Sequence, residues 1–88
     1  VINVEPVQLA AELEVDIKSV DKGIDVFFVV DDDHVDIQLA RQNHFINWTY
    51  RAFDDGSVLI ITPKERWAYQ THGYAYSALM SAIRGGYV

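Results

Sequence analysis

Residues 46–52 alternate apolar and polar side chains up to Asp54-Asp55-Gly56-Ser57, after which an apolar run returns to Thr62, and no other stretch of the chain restricts its fold so tightly. Ile46, Trp48, Tyr50 and Ala52 fall on one side of a strand and Asn47, Thr49 and Arg51 on the other. That period of two belongs to a half-buried strand. Gly56 stands where a tight hairpin needs a positive φ, and Ser57 to Thr62 forms the returning strand. Pro63 ends the pairing, because it has no N–H to donate. A three-residue loop sets Tyr50 opposite Ile60 and Ala52 opposite Val58. A two-residue loop shifts the register by one, and the residues alone leave that choice open.

More strands precede this hairpin. Ile24–Val30 is rich in β-branched and aromatic residues, as strands are. Asp31-Asp32-Asp33-His34 has turn chemistry, after which Val35, Ile37 and Leu39 alternate with Asp36 and Gln38. Residues 41–44 read as a polar connection. Residues 64–70 are either a connection or a further short strand with Trp67 and Tyr69 on one side.

The two ends read differently. Glu5-Pro6 suits the first turn of a helix, and Leu9, Leu13, Ile17 and Val20 follow at helical spacing, with Gly23 available as a left-handed stop. Leu13, Val15 and Ile17 also alternate with Glu14, Asp16 and Lys18, as a strand would. The spacing predicts a helix over at least residues 6–14 and leaves 13–20 open between helix and strand. At the other end, Thr71 or Ser77 can cap a helix. Its apolar stripe is Tyr76, Leu79, Met80 and Ile83, and Gly85-Gly86 stops it. The expected fold is a single α+β domain over residues 1–88. It comprises an antiparallel meander sheet of about four strands, with an N-terminal helix (or strand) and a C-terminal helix packed on one face.

A chain of 88 residues buries only about 60% of its unfolded surface, so its core is thin. It has no cysteine, which removes disulfides and thiolate zinc sites as reinforcement. No apolar run approaches the roughly 20 residues of a membrane span. No basic stretch followed by an apolar one opens the chain, so no secretory leader is expected. The chain starts on Val1 rather than Met, which leaves room for residues upstream. A cytoplasmic setting is the default expectation.

Charge is unevenly distributed. Residues 1–36 carry ten acids against Lys18 and Lys22, a net −8; residues 37–88 carry five bases against three acids, a net +2, giving the whole chain −6. Asp16, Asp21, Asp25, Asp31, Asp32, Asp33 and Asp36 are the candidate acidic face, and a protein partner with a basic surface is the partner it suits. The same acidity also serves plain solubility. The preferred expectation is a non-enzymatic binding or adaptor module, in its sharper form an inhibitor of a nucleic-acid-handling protein. If Phe45, Phe53, Leu59 and Ile61 share the second sheet face, that face needs a cover, and a second copy of the chain, making a homodimer, is the expected one.

Other chemistries find less support. The Asp31–Asp36 run lacks the glycine and the closing glutamate of a calcium loop, so no metal or other cofactor is expected. His34, His44 and His72 are too widely spaced for a helical metal pair, although His44 with Asp36 or Asp54 is a conceivable acid–base pair. No glycine-rich phosphate cradle is present. Trp48, Tyr50, Trp67, Tyr69 and His44 are the candidate lining of an aromatic pocket between the sheet and the C-terminal helix. Trp48, Arg51 and Trp67 are a candidate platform for single-stranded nucleic acid, which the net charge opposes.

Overall fold

The computed structural model describes residues 4–41 and 47–88. It contains α1 (Val4–Val20), β1 (Ile24–Val30), β2 (His34–Arg41), β3 (Asn47–Phe53), β4 (Val58–Ile61), β5 (Arg66–Tyr69) and α2 (His72–Arg84). The strands form one antiparallel sheet in the order β1-β2-β3-β4-β5, each paired with its neighbour in sequence. Phe45 and Ile46, and most of the predicted polar connection, lie outside the described residues.

α1 runs through the segment that alternation left open. Leu13 and Ile17 are buried with Ala10, while Val15 is 68% exposed. A strand would have put Val15 on the same side as both, so the helical period decides. Gly23 does not supply a left-handed stop. Its N–H instead donates to Asp21 Oδ1 at 2.9 Å, closing a small turn into β1.

The β3–β4 hairpin has the three-residue loop. Phe53 N–H donates to the Ser57 carbonyl at 2.9 Å and Gly56 takes φ +93°. Tyr50 therefore faces Ile60, and Ala52 faces Val58. The sheet has five strands rather than four, because residues 66–69 pair with β4. A tight turn makes this possible: Thr62 Oγ1 accepts from Glu65 N–H at 2.9 Å, and Thr62 N–H donates to the Glu65 carbonyl at 2.9 Å.

Both helices cover one face of the sheet, α1 over β1 and β2, α2 over β4 and β5, and they touch each other. Between helices and sheet lie Leu13, Ile17, Ile37, Leu39, Tyr50, Ile60 and Leu79, all essentially inaccessible to solvent. α2 starts after Thr71 and ends in a Schellman motif. Gly86 N–H donates to the Ile83 carbonyl at 3.1 Å and Tyr87 N–H to the Ala82 carbonyl at 3.0 Å, with Gly86 at φ +78°. Two glycine substitutions should therefore act in opposite directions. Gly86→Ala is expected to lose about 1 kcal/mol through its left-handed backbone. Gly73→Ala, within α2 and with open space where its Cβ would go, is expected to gain about 0.5 kcal/mol. Urea unfolding midpoints of the two variants check both signs.

Candidate functional site

A meander places alternate turns at the same end of its sheet. The β1–β2 turn and the β3–β4 turn are therefore neighbours, and Asp54 N–H donates to the Asp33 carbonyl at 3.0 Å to join them. Five carboxylates collect there: Asp31, Asp32, Asp33, Asp54 and Asp55, all on exposed residues. Ser57 donates through both N–H (2.8 Å) and hydroxyl (2.6 Å) to Asp55 Oδ1. These bonds hold the Asp55 carboxyl below the ordinary aspartate range, so it stays ionised. His34 sits behind the group, its Nδ1 2.5 Å from Asp33 Oδ1 and its Nε2 3.7 Å from Asp31 Oδ2.

The rest of the expected acidic face is dispersed. Asp21 is ion-paired with Arg41, whose guanidinium, with the Gly23 N–H, depresses the Asp21 pKa. Asp36 is buried on the open face of the sheet and bridged by Arg51, Nε to Oδ1 at 2.8 Å and Nη2 to Oδ2 at 3.1 Å. This hydrogen bonding raises the already high Arg51 pKa. Asp16 Oδ2 accepts the Tyr76 hydroxyl at 2.8 Å, which raises the Tyr76 pKa, and Asp25 stands exposed near the start of β1. The two joined turns make one end of the sheet strongly acidic, whereas the opposite end is mixed, with Asp21, Asp25 and Glu65 among its bases. Lys22, Lys64 and Arg66 lie in or beside the turns at the opposite end. The sequence reading left Asp54 and Asp55 out of the acidic face, taking both as hairpin residues and Asp54 also as a partner for His44; the meander order itself was the signal that their turn would adjoin Asp31–Asp33.

The aromatic residues divide between core and cavity. Tyr50 is fully buried, with its hydroxyl 2.6 Å from His72 Nδ1, and burial pushes its phenol far above the usual range. Trp48 and Trp67 meet edge to face with centroids 5.3 Å apart. They line an open cavity of about 470 Å³ with Thr62, Pro63, Lys64, Glu65, Ala82 and Tyr87. Tyr69 borders an adjoining hollow. His44 lies outside the described residues. Of the expected pocket residues that are described, Trp48 and Trp67 line this cavity and Tyr50 and Tyr69 do not; Tyr87, Thr62 and Lys64 were missed, since they come from the turn after β4 and from the tail after α2.

Trp48 and Trp67 face the helices, whereas Arg51 points from the opposite side of the sheet, so these three form no common stacking platform. The open side carries Phe53, Leu59 and Ile61, half-buried, together with Phe27 and Val29, and the Asp36–Arg51 pair sits in its middle. No element among the described residues covers it. Among the described residues no group of His, Asp or Glu is arranged to hold a metal ion, and no helix is long and apolar enough to cross a membrane. In comparison with known proteins, no family model matches this chain, and no curated protein or solved structure does.

Proposed function

We propose that the chain is a non-enzymatic protein-binding module that docks its acidic end onto a basic surface of a protein partner. The observation carrying this reading is the Asp33–Asp54 backbone bond, which fuses two turns and concentrates five carboxylates on one tip. Charge gathered in this way speeds encounter with a basic partner and selects its orientation. A partner that ordinarily handles nucleic acid is the sharper form, because its own surface is built to attract anions.

The test uses an arginine-rich peptide as probe, with backbone amide NMR shifts as the readout. Perturbations should cluster at residues 31–34 and 53–57 and fade between low and physiological salt. Shifts spread evenly over Glu12, Glu14 and Asp25 as well, or insensitive to salt, would refute the proposal.

A second reading is supported by the cavity between Trp48, Trp67 and Tyr87, whose volume lies in the range of small-molecule sites. Its largely apolar walls, edged by Lys64 and Glu65, suit a flat apolar ligand. Anilinonaphthalene sulfonate should quench tryptophan fluorescence, and Trp67→Ala should abolish its binding. Unchanged binding in that variant would dismiss this reading.

A further inference from the structure

β1 is an edge strand, and the apolar residues Phe27, Phe28, Val29 and Val30 on it are 55%, 42%, 48% and 58% exposed. Successive residues of a strand point to opposite faces, so the stretch from Phe27 to Val30 is exposed on both of them as well as along its outer margin, whereas Ile24 and Val26 pack into the core. Folded proteins rarely leave a long apolar edge in water.

The direction of its free backbone groups follows from the β1–β2 turn. Asp31 N–H donates to the His34 carbonyl, which makes these two a hydrogen-bonded pair. Such pairs alternate along an antiparallel ladder. Asp25, Phe27 and Val29 therefore turn their backbone groups toward β2, while Ile24, Val26, Phe28 and Val30 turn theirs outward. No strand lies beside those outward groups among the described residues.

We propose that this edge is completed by β1 of a second copy of the chain, running antiparallel about a two-fold axis at Phe27, so that two five-stranded sheets become one. The proposal is independent of what the acidic end binds. The Lys22–Asp32 match favours a second copy of this chain in this register. With Phe27 on the axis, Val26 faces Phe28 of the second copy, Ile24 faces Val30, and Lys22 faces Asp32, each pairing occurring twice. The outward backbone groups of Val26, Phe28 and Val30 and the Ile24 carbonyl then find partners, the Ile24 N–H already donating to the Asp21 carbonyl at 3.4 Å. Moving the axis to Phe28 sets Asp25 against Asp31 of the second copy, a like-charge pair. Moving it to Val26 sets Phe27 against Asp25 and Val30 against Lys22. Of the three registers only the one centred on Phe27 sets a cation opposite an anion; it also sets the exposed Asp25 against Val29, and Asp21, already ion-paired with Arg41, against Asp33. It also lays the acidic end of each copy beside the Lys22-bearing end of the other.

Because the chain has no cysteine, introduced thiols report the register directly. Phe27 would form a non-hydrogen-bonded pair with itself, with Cα atoms about 4.5 Å apart, within disulfide range. Val29 would lie about 13 Å along the strand from its own copy, too far to bond. Both side chains are exposed, so neither substitution disturbs the core. The unmodified chain should sediment at twice its own mass, and mild oxidation should link Phe27→Cys and not Val29→Cys. Lys22→Glu should weaken dimerisation about tenfold, and Lys22→Glu with Asp32→Lys should restore it. A chain that remains monomeric from micromolar to millimolar concentration overturns the proposal. So does cross-linking through Val29→Cys as fast as through Phe27→Cys, or a charge swap that fails to restore association.

Discussion

Tyr50→Ala is expected to destabilise the fold by about 4 kcal/mol, and Tyr50→Phe by about 1 kcal/mol. The ring is wholly buried on the helix-covered face, between Ile37 on β2 and Ile60 on β4. Truncation opens a hole at the thickest part of a thin core, where helices and strands are both fixed and little can collapse into it. Net stabilities of small domains are about 5–15 kcal/mol, so the alanine variant approaches unfolding. The phenylalanine variant keeps the ring and loses only the hydrogen bond to His72. Guanidinium titrations of both variants separate the two contributions.

The phenol also carries a pH signature. Burial raises its pKa in the fold above the ordinary tyrosine value. Its contribution to stability is therefore complete below about pH 10 and is lost as pH rises beyond that, because only the unfolded chain ionises freely there. Tyr50→Phe should flatten that part of the alkaline unfolding curve. An unchanged slope would show that other groups dominate it.

Arg51→Ala is expected to cost about 3 kcal/mol, and Asp36→Ala less, about 2 kcal/mol. The asymmetry comes from burial. Asp36 is nearly covered and accepts both bonds of the guanidinium, while the Arg51 side chain retains about a third of its exposure. Removing the arginine leaves a buried carboxylate without its guanidinium, the His34 ring lying 3.8 Å away. Removing the aspartate leaves an arginine that can still reach water. Replacing both together by Val and Leu should restore most of the loss, since two apolar side chains need no partner there. A double variant as unstable as Arg51→Ala alone would mean that the pair is a specific requirement of the open face.

These contacts show where sequence reasoning reaches and where it stops. The β3–β4 hairpin was legible because one side alternates strictly and the loop residues are turn formers, so only the loop length was in doubt. α1 beyond Glu14 was not, since Leu13 and Ile17 satisfy both periods and the exposure of Val15 decides between them. β5 is only four residues long and alternates half-buried with exposed positions, too brief a pattern to separate from a loop. For the acidic site, Asp31–Asp33 were visible as a run, but the capture of Asp36 by Arg51 depends on a cross-strand register that local periodicity does not encode. The exposure of Phe27–Val30 was equally hidden: IDVFFVV reads as a strand whether it lies in the middle of a sheet or at its margin.

Every strand of the meander pairs with the one just before or after it, so the sheet assembles by a series of short loop closures. Low contact order of this kind favours rapid folding. The longest reach is at the meeting of the two helices, where the Tyr76 hydroxyl reaches Asp16 across 60 residues of chain, against 47 between Arg41 and the Val88 carbonyl to which it donates. Bringing the helices together is therefore the step with the largest entropic barrier. Weakening that contact should slow folding more than a comparable lesion inside any single hairpin, and stopped-flow refolding of Tyr76→Phe would reveal the difference.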